Sequence, residues 1–397
     1  MRLTIVQYAG DYRETFERFE AGGKATYQAQ RYSVDFVASL AQRFEQVAIV
    51  CALSEQAYDV VLRNKVRAIG LGLKPGFRSR GLIPVVKGTR PDRLLLTTPM
   101  APLLRWARKS SVRTLTMLAD SFQKSGIPAA LKHRLLAWEL NRPNVEFVGN
   151  HGIAACLSLV EIGVRPTKVV PWDWPPSHRP HDHLPRELLV SGQMRLIYVG
   201  SVVEAKGVGD LLHAVDALIR SGMRLSLTII GRDPDGRMEE LARRLGLGEN
   251  VQFAHLVPNE DIPGRMREAD AVVIPSRHEY PEGLPLTIYE SLAARTPIIA
   301  SDHPMFRGAL VHEESALIFP AGNSDALASA IRRLSGDSKL YSMLSRQSDQ
   351  AWEALQLPVS WGEMIERWLS HTPVDTDWLQ DHCLTSGRYD AQIASRK

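Results

Sequence analysis

Apolar residues in this chain fall in short runs that alternate with segments of helical spacing. The run Ala271–Ile274 is short and rich in β-branched residues, which favours a buried strand. Elsewhere apolar residues recur three or four positions apart, as at Val37, Leu40 and Phe44 in a helix predicted over 31–44. Further strands are predicted at 3–8, 46–53, 64–72, 93–98, 113–119, 145–149, 168–170, 194–200, 225–231, 251–254, 297–300 and 316–319. Strands and helices joined by short connections predict an α/β fold with mostly parallel sheets.

A proline-rich stretch at 171–193 interrupts this alternation, which then starts again. We therefore predict a first domain over 1–172, a linker over 173–193 and a second domain over 194–357. The polar residues 371–397 are predicted to form a loosely held tail. Two doubly wound, Rossmann-like domains facing a central cleft would place a ligand beyond the carboxyl ends of the strands.

Bulk composition is that of an ordinary globular enzyme, with 44% hydrophobic and 23% charged residues in 397. Cys51, Cys156 and Cys383 have no paired spacing, which argues against a disulfide framework or a zinc site and for a reducing compartment. The N-terminus has a strand pattern rather than that of a signal peptide, and no segment approaches a membrane-spanning length. We expect a cytoplasmic protein, with peripheral contact at the inner face of the membrane as a further possibility.

Charge is divided unevenly along the chain. Residues 1–175 contain 25 Lys and Arg against 14 Asp and Glu, whereas the remainder contains 23 against 30. Two solvated surfaces of different composition would explain this. The alternative is that the basic half, including an exposed loop predicted over 74–92, contacts an anionic partner such as lipid headgroups, a phosphorylated acceptor or nucleic acid.

The stretch from Pro275 to Glu290 is the most informative part of the chain. It begins after the strand Ala271–Ile274, turns at Gly283 and its neighbouring prolines, and leads into a predicted helix over 286–295. The free N–H groups at the start of that helix favour an anion, and the helix dipole adds positive charge. The carboxylates of Glu282 and Glu290 are better suited to accept hydrogen bonds from hydroxyls. Phosphate and hydroxyl groups together suggest a nucleotide-sugar.

A second candidate segment, 200–207, joins the first strand of the second domain to its helix. Lys206 comes just before the helix, where a cation beside free amides suits a diphosphate and would stabilise the charge of a leaving group. A surface lysine followed by a turn glycine, Gly207, is the plainer interpretation.

These segments form an ordered set that resembles the retaining glycosyltransferases of family four, which have the GT-B fold. The resemblance covers 194–336 and includes Lys206-Gly207, the Gly231 turn, the Glu282 and Glu290 pair, and the residues that follow them. The matching residues after Glu290 are Pro297-Ile-Ile-Ala-Ser-Asp302, Pro304, Arg307 and Ala316-Leu-Ile-Phe-Pro320. Over 1–175 the resemblance is weak and rests on Gly22-Gly23 after the first strand and on the run from Val148 to Pro171.

The resemblance implies a role for each of these residues. Glu290 is expected to bind the nucleotide ribose, Glu282 to lie by the transferred sugar, and Lys206 to hold the diphosphate. Amides of Gly283 and Leu284 are expected to contact phosphate or sugar hydroxyls, and Gly22 and Gly23 to belong to the donor site. The implied activity is metal-independent hexosyl transfer with retention, without a protein nucleophile or cofactor. Residues 358–370 are expected to pack back onto the first domain, with Trp361 and Trp368 buried.

The chain departs from the family at two positions. Ser201 stands where the family usually has an arginine that clamps the diphosphate, and serine cannot make bidentate contacts. Arg232 or Arg277 is a candidate replacement, although each is more often a surface residue. In the first domain Ala119-Asp120 replaces the family's His-Asp, so Asp120 is the remaining candidate to bind an acceptor hydroxyl, or it caps a turn.

Two patterns resemble metal sites. Asp233-Pro-Asp235 is a D-x-D sequence, but its setting in a strand-to-helix connection favours a turn and helix cap. The histidines His178, His181 and His183 fall in the predicted linker, where nothing fixes a ligand geometry. We predict no metal site.

Two other functions fit parts of the pattern. A GT-B-like sugar-nucleotide epimerase would use the same donor site but needs acid and base residues from both domains, and Asp120 is the prominent candidate in the first. A non-catalytic module binding nucleic acid would use the basic loop, which has Phe77 as its single aromatic residue for stacking. We expect a nucleotide-sugar and a sugar, lipid-linked or other anionic acceptor as partners, and no nucleic acid.

Overall fold

The computed structural model describes residues 1–122, 126–188 and 192–394. The chain forms two compact units. The first contains most of 1–175 together with 357–391, and the second contains 176–356 with short segments at 25–28 and at the C-terminus. Residues 189–191 of the predicted linker and 395–397 of the predicted tail lie outside the described residues.

The first unit is built on an eight-stranded sheet with the order β3-β4-β2-β1-β5-β6-β7-β8. All neighbouring pairs are parallel except β3 with β4. Its strands are β1 (Arg2–Gln7), β2 (Gln46–Cys51), β3 (Ala57–Val61), β4 (Arg67–Leu71), β5 (Arg93–Leu96), β6 (Arg113–Leu118), β7 (Val145–His151) and β8 (Val169–Trp172). Its helices before the second unit are α1 (Tyr12–Glu20), α2 (Gln30–Ala41), α3 (Ile83–Gly88), α4 (Ala101–Lys109), α5 (Gly126–Leu140) and α6 (Ile153–Glu161).

Two segments of this unit for which no helix is predicted above are helical. The polar segment after Gly10 contains α1, which Asp11 caps by accepting a hydrogen bond from Glu14 N at 3.2 Å. The basic loop expected over 74–92 contains a short 3₁₀ turn and α3, with Leu82 and Val86 fully buried. Those two apolar side chains hold the segment to the unit, so it is not the free loop that its charge suggested.

The second unit has a fully parallel, six-stranded sheet with the order β11-β10-β9-β12-β13-β14. Its strands are β9 (Met194–Val199), β10 (Leu225–Ile230), β11 (Val251–His255), β12 (Ala271–Ile274), β13 (Ile298–Ser301) and β14 (Leu317–Phe319). Its helices are α7 (Val208–Arg220), α8 (Arg237–Arg244), α9 (Ile262–Glu268), α10 (Leu286–Ala293), α11 (Ser324–Gly336) and α12 (Ser338–Leu355).

The order of this sheet locates a ligand site. From β9 the chain moves outward to β10 and β11, whereas from β12 it moves in the opposite direction to β13 and β14. The connections after β9 and β12 therefore diverge, and a crevice opens between the carboxyl ends of these two neighbouring strands.

After α12 the chain returns to the first unit with α13 (Trp361–Ser370) and α14 (Pro373–Gln380), followed by α15 (Asp390–Ala394). Asp173 N donates to Val359 O at 3.0 Å, and Trp361 and Trp368 are buried in the core of the first unit. The prediction of a loosely held polar tail is wrong for the described residues, because Leu379 and Tyr389 are each 1% exposed.

Within residues 1–122, 126–188 and 192–394, none of the helices is both long and apolar enough to cross a membrane.

Candidate functional site

The loops that follow β9 and β12 are fastened to each other. Gly207 has a φ of 71°, and a Cβ atom at this position would collide with the carbonyl oxygen of Pro275. Arg277 N also donates to Ala205 O at 3.0 Å. The absence of a side chain at position 207 therefore lets the two loops touch, which brings Lys206 beside the loop that carries Glu282.

Lys206, Glu282 and Ser276 form a polar cluster where these loops meet. The Lys206 ammonium pairs with Glu282 Oε1, and Ser276 Oγ donates to the same oxygen at 2.7 Å. The Lys206 and Glu282 side chains are only 14% and 7% exposed, so the pair is weakly screened by water. The two groups predicted for the diphosphate and the sugar are thus partners of one another. Lys206 can still donate its remaining ammonium protons to a ligand, and Glu282 can still accept a hydrogen bond at Oε2.

Tyr280 lies beside this cluster. Its ring centroid is 4.4 Å from Lys206 Nζ, a cation–π contact, and its hydroxyl is hydrogen-bonded to the Ser201 side chain. Burial, with a further contribution from Glu282, raises the pKa of Tyr280. Tyr198 donates its hydroxyl hydrogen to Ser201 O at 2.7 Å. Ser201 therefore contacts two tyrosines at the position where the resemblance leads us to expect an arginine.

The two candidate arginines differ in their partners. Arg277 donates from Nε and Nη2 to both carboxylate oxygens of Asp210, at 2.8 and 2.7 Å, and also pairs with Glu204. The Asp210 hydrogen bonds raise the pKa of Arg277. The Arg277 guanidinium is already bound to carboxylates of the same unit. The geometry therefore does not favour Arg277 as the replacement for the arginine expected at position 201. Arg232 is exposed and lines the cavity described below, which keeps it a candidate.

Glu290 has a different environment from Glu282. It lies in the second turn of α10 and is 6% exposed, and its Oε1 accepts a hydrogen bond from Asn259 Nδ2 at 2.9 Å. Burial raises the pKa of Glu290 to about 7, and the amide hydrogen bond only partly opposes this. At neutral pH this carboxyl group is therefore divided between its two protonation states.

A cavity of about 400 Å³ connects these groups at the edge of the second sheet. The residues of this cavity that carry candidate chemistry are Ser201, Lys206, Arg232, Asn259, Tyr280, Glu282, Leu286, Thr287 and Glu290. Leu286 and Thr287 begin α10, where the first backbone N–H groups have no carbonyl partner in the helix. Gly283 and Leu284, whose own amides were predicted to contact phosphate or sugar hydroxyls, lie between the lining residues Glu282 and Pro285 but are not themselves among the lining residues. Their role stays a prediction. The cavity thus combines an anion-binding helix start, a lysine and two carboxylates.

The candidates in the first unit are not among the residues that line this cavity. Asp120 follows β6, its backbone carbonyl accepts from Asn150 Nδ2 at 3.0 Å, and burial raises the pKa of its carboxyl group. Gly22 and Gly23 follow α1 rather than β1. Their N–H groups donate to Phe19 O and Arg18 O at 3.1 and 2.8 Å, so both amides are already used to end the helix. Their predicted part in donor binding stays a prediction.

The D-x-D sequence acts as a helix cap. Asp233 Oδ2 accepts hydrogen bonds from Met238 N at 2.8 Å and Glu239 N at 3.1 Å, at the start of α8. This confirms the turn interpretation for Asp233. In the part of the chain that the structure describes, no group of three or more His, Cys, Asp or Glu side chains has a metal-binding arrangement.

Three residues of the site were missed from the sequence. Ser276 and Tyr280 lie inside the stretch 275–290, but only its carboxylates, Arg277 and the amides of Gly283 and Leu284 were predicted to bind a ligand. Asn259 follows the carboxyl end of β11, and a polar residue at that position of a parallel strand was the available signal. Each acts on a predicted group: Ser276 on Glu282, Tyr280 on Lys206 and Asn259 on Glu290.

Residues 182–351 match the family described as Glycosyl transferases group 1. The match lies within the second unit, contains every cavity residue named above, and covers less than half of the chain. An amylovoran biosynthesis glycosyltransferase of Erwinia amylovora is 29% identical over 146 residues, which are 36% of this chain and 36% of that protein. The chain spans about a third of the length of the first curated relatives that it matches.

Solved structures resemble almost the whole chain. A sucrose-phosphate synthase from Thermosynechococcus elongatus superposes with a TM-score of 0.66 and 18% identity, over 94% of this chain and 100% of that one. Anabaena HepE in complex with UDP-glucose superposes with a TM-score of 0.65 and 15% identity, over 90% and 96% of the two chains. At these identities the likeness concerns the fold, and it confirms the predicted GT-B class with two Rossmann-like sheets.

Proposed function

We propose that this protein is a glycosyltransferase that moves a hexosyl group from a nucleotide-sugar to an acceptor with retention at the anomeric carbon. The observation that carries the proposal is the donor cavity, where Lys206, the start of α10 and two carboxylates lie at the switch point of a parallel sheet. The match of 182–351 to group 1 glycosyltransferases supports it, because that segment supplies the cavity.

Each group in the cavity has a task that its chemistry suits. The diphosphate lies against the Lys206 ammonium and the free amides of Leu286 and Thr287. The Glu290 carboxylate accepts hydrogen bonds from the ribose hydroxyls, and Glu282 Oε2 accepts one from the transferred sugar. UDP-glucose is a reasonable first donor to test, because the HepE structure of the same fold was solved with it.

The reaction needs no protein nucleophile. The bond between the anomeric carbon and the diphosphate oxygen breaks, and its electron pair goes to the diphosphate. The acceptor oxygen forms the new bond on the same face, and its proton passes to a diphosphate oxygen. Lys206 and the α10 amides stabilise the charge that grows on the leaving group. A metal ion has no part in this proposal.

The acceptor belongs to the first unit in this proposal. Asp120 is the candidate to bind an acceptor hydroxyl, and the excess of Lys and Arg in residues 1–175 favours a lipid-linked or other anionic acceptor and peripheral membrane contact. The base, the sugar and the linkage are left to experiment.

Thermal-shift titration with UDP, GDP and ADP tests the donor cavity, because a ligand that binds the native state raises the melting temperature. We expect one of the three to raise it in the wild type and the shift to be lost in Glu290→Ala. Asp349→Ala is a control in the same unit, since that carboxylate is 48% exposed and pairs with Arg295 rather than facing the donor cavity. A shift that Glu290→Ala leaves intact would refute the ribose assignment.

Product analysis by NMR tests the reaction itself. We expect slow release of nucleoside diphosphate from the donor alone and faster release when acceptor is added. Both rates should be unchanged in EDTA. The product should keep the donor's anomeric configuration. Interconversion of the donor sugar without acceptor would instead identify an epimerase, and inversion at the anomeric carbon would contradict the proposed mechanism.

A further inference from the structure

Helix α5 of the first unit carries an apolar stripe that faces solvent. Leu131, Leu135 and Trp138 are 60%, 49% and 48% exposed. Their spacing of four and three residues places them within about 60° of the helix circumference, at about 100° per residue. Leu136 and Leu140, on the opposite side, are buried. The other side of α5 thus packs in the interior of the unit, and the exposed stripe takes no part in that packing.

Basic residues surround the stripe. The segment 101–142 contains eight Lys or Arg and two Asp or Glu. One of these acids, Glu139, is buried and accepts hydrogen bonds from Arg105 and Arg108 at 2.8 and 3.4 Å. The acid is therefore neutralised inside the unit, and the outer surface keeps its positive charge.

Trp138 itself is held by cations. The guanidinium carbon of Arg142 lies 3.3 Å from a Trp138 ring centroid, and that of Arg108 lies 5.3 Å away. The exposed side chains Lys132 and Arg134 flank the leucines on the helix. We call the set Leu131, Lys132, Arg134, Leu135, Trp138 and Arg142 the α5 surface.

We propose that the α5 surface docks on a membrane containing anionic lipid, with α5 lying in the plane of the headgroups. This inference deepens the peripheral contact in the proposed function and rests on it for its biological setting. Leucine and tryptophan side chains beside Lys and Arg are the composition that suits the boundary between headgroups and acyl chains. The apolar stripe enters that boundary, while the cations meet lipid phosphates.

Nucleic acid and protein partners fit this surface less well. The Trp138 ring already has a guanidinium against it, and the two other apolar residues are aliphatic, so bases have no free stacking platform. An acidic protein would satisfy the cations but would have to cover a stripe of only three apolar side chains. A lipid surface provides anionic phosphates and an apolar interior at once.

Co-sedimentation of the full chain with vesicles tests the inference. We expect binding to vesicles with about 30% phosphatidylglycerol, little binding to pure phosphatidylcholine, and weakening by salt because headgroup attraction is screened. Leu131→Ser/Leu135→Ser and Lys132→Glu/Arg134→Glu should each reduce the partition coefficient about tenfold or more.

Matched controls use exposed positions elsewhere in the same unit. Val61→Ser/Val374→Ser, at side chains 71% and 73% exposed, and Arg63→Glu/Lys65→Glu, at two exposed cations, should bind vesicles as the wild type does. Equal loss in Arg63→Glu/Lys65→Glu and Lys132→Glu/Arg134→Glu would reduce the effect to net charge and overturn the inference. So would vesicle binding that Leu131→Ser/Leu135→Ser leaves intact.

Two further measurements distinguish lipid docking from the proposed function and from self-association of the chain. Nucleoside diphosphate binding, measured without vesicles, should be the same in the wild type and in all these variants. If the wild type bound none of the three diphosphates, that would contradict the proposed function and not the docking surface. Self-association in light scattering that Leu131→Ser/Leu135→Ser abolishes, without vesicle binding, would assign the stripe to a second copy of the chain and overturn lipid docking.

Discussion

Glu282 and Glu290 follow the same strand and lie in the same cavity, yet their surroundings are opposite. Glu282 Oε1 faces the Lys206 ammonium and the Ser276 hydroxyl. Glu290 is as deeply buried, but its oxygen faces the neutral amide of Asn259. Burial without an opposite charge raises the pKa of Glu290 to about 7. The two glutamates therefore differ in their partners, which residue type alone does not reveal.

The difference arises from where each residue stands relative to α10. Glu282 precedes the helix, in the loop that Gly207 allows to touch the loop after β9, and so it meets Lys206. Glu290 is more than one turn inside the helix, where its neighbour across the cavity is Asn259. One carboxylate is thus part of a charged pair and the other is poised to gain or lose a proton. Four experiments test this contrast.

Loss of the paired cation should have the largest effect. Lys206→Met removes the cation that we propose holds the diphosphate, and it leaves Glu282 buried without its counter-charge. We expect kcat/KM for the donor to fall by about 10² to 10³, equivalent to about 3–4 kcal/mol of transition-state stabilisation. Release of nucleoside diphosphate measures it. Lys339→Met, at an exposed lysine of the same unit, is the control, and equal activity of the two variants would contradict the role of Lys206.

The unpaired carboxyl should make stability depend on pH. The pKa of Glu290 is raised from 4.5 to about 7 in the folded protein, so the folded state holds this proton more tightly than the unfolded state. Its contribution is full below about pH 4.5 and is lost as pH rises to about 7, a change of about 3 kcal/mol. Urea denaturation of wild type and Glu290→Gln at pH 5 to 8 measures it. A constant difference between the two proteins across that range would show that Glu290 is not perturbed.

Donor binding should depend on the same proton in the opposite sense. In the proposed function the ribose hydroxyls donate to the ionised carboxylate, so binding of UDP-glucose, or of the donor that the screen identifies, should weaken as Glu290 is protonated. With a pKa of about 7, the Kd should be about tenfold higher at pH 6 than at pH 8. A nucleotide-sugar is the appropriate probe, because its diphosphate has no terminal phosphate to titrate in this range. If the Kd of Glu290→Gln kept the same pH dependence, another group would be responsible.

Substitution of Tyr280 should have the smallest effect on activity. It measures how much the tyrosine ring and its hydroxyl each contribute beside the Lys206–Glu282 pair. Tyr280→Phe keeps the ring beside Lys206 and loses the Ser201 hydrogen bond, whereas Tyr280→Leu loses both. We expect kcat/KM to fall by about twofold to fivefold in Tyr280→Leu, as for a cation–π contact of about 0.5–1 kcal/mol, and by less in Tyr280→Phe. Equal loss in both variants would assign the effect to the hydrogen bond with Ser201 instead.

The sequence predicted the elements whose burial pattern is local. The apolar run Ala271–Ile274 and the helical spacing after Pro285 correspond to β12 and α10, with the helix ending two residues before the prediction. Alternating strands and helices also predicted both parallel sheets. These features follow from short-range periodicity, which a single chain displays directly.

Elements with weak local contrast were missed. Helix α1 is rich in Arg and Glu, and this polarity hid the spacing of Tyr12, Phe16 and Phe19. Strand β3 lies at the sheet edge and is mostly exposed, so it lacks the alternation of a half-buried strand. The C-terminal segment looks polar because its buried residues include His382 and Cys383, and polar residues separate the buried apolar ones, Leu379, Leu384 and Tyr389.

Partnerships across long separations could not be predicted either. The Lys206–Glu282 pair joins residues 76 positions apart, and the Arg277–Asp210 pair joins residues 67 positions apart. Both depend on which strands are neighbours in the sheet. The sequence marked Lys206, Glu282 and Glu290 as ligand groups, but only the fold shows that two of them already bind each other.

Gly207 has a consequence for redesigning the donor site. Because a Cβ atom there would push against the backbone of Pro275, the position of Lys206 is set by main-chain contact rather than by the side chains around it. Ser201, Tyr280 and Arg232 can therefore be varied to change which donor is accepted, with the lysine staying in register. Replacing Gly207 would push the two loops apart and, in the proposed function, weaken the binding of every donor alike, which makes this residue the poorest starting point for altered specificity.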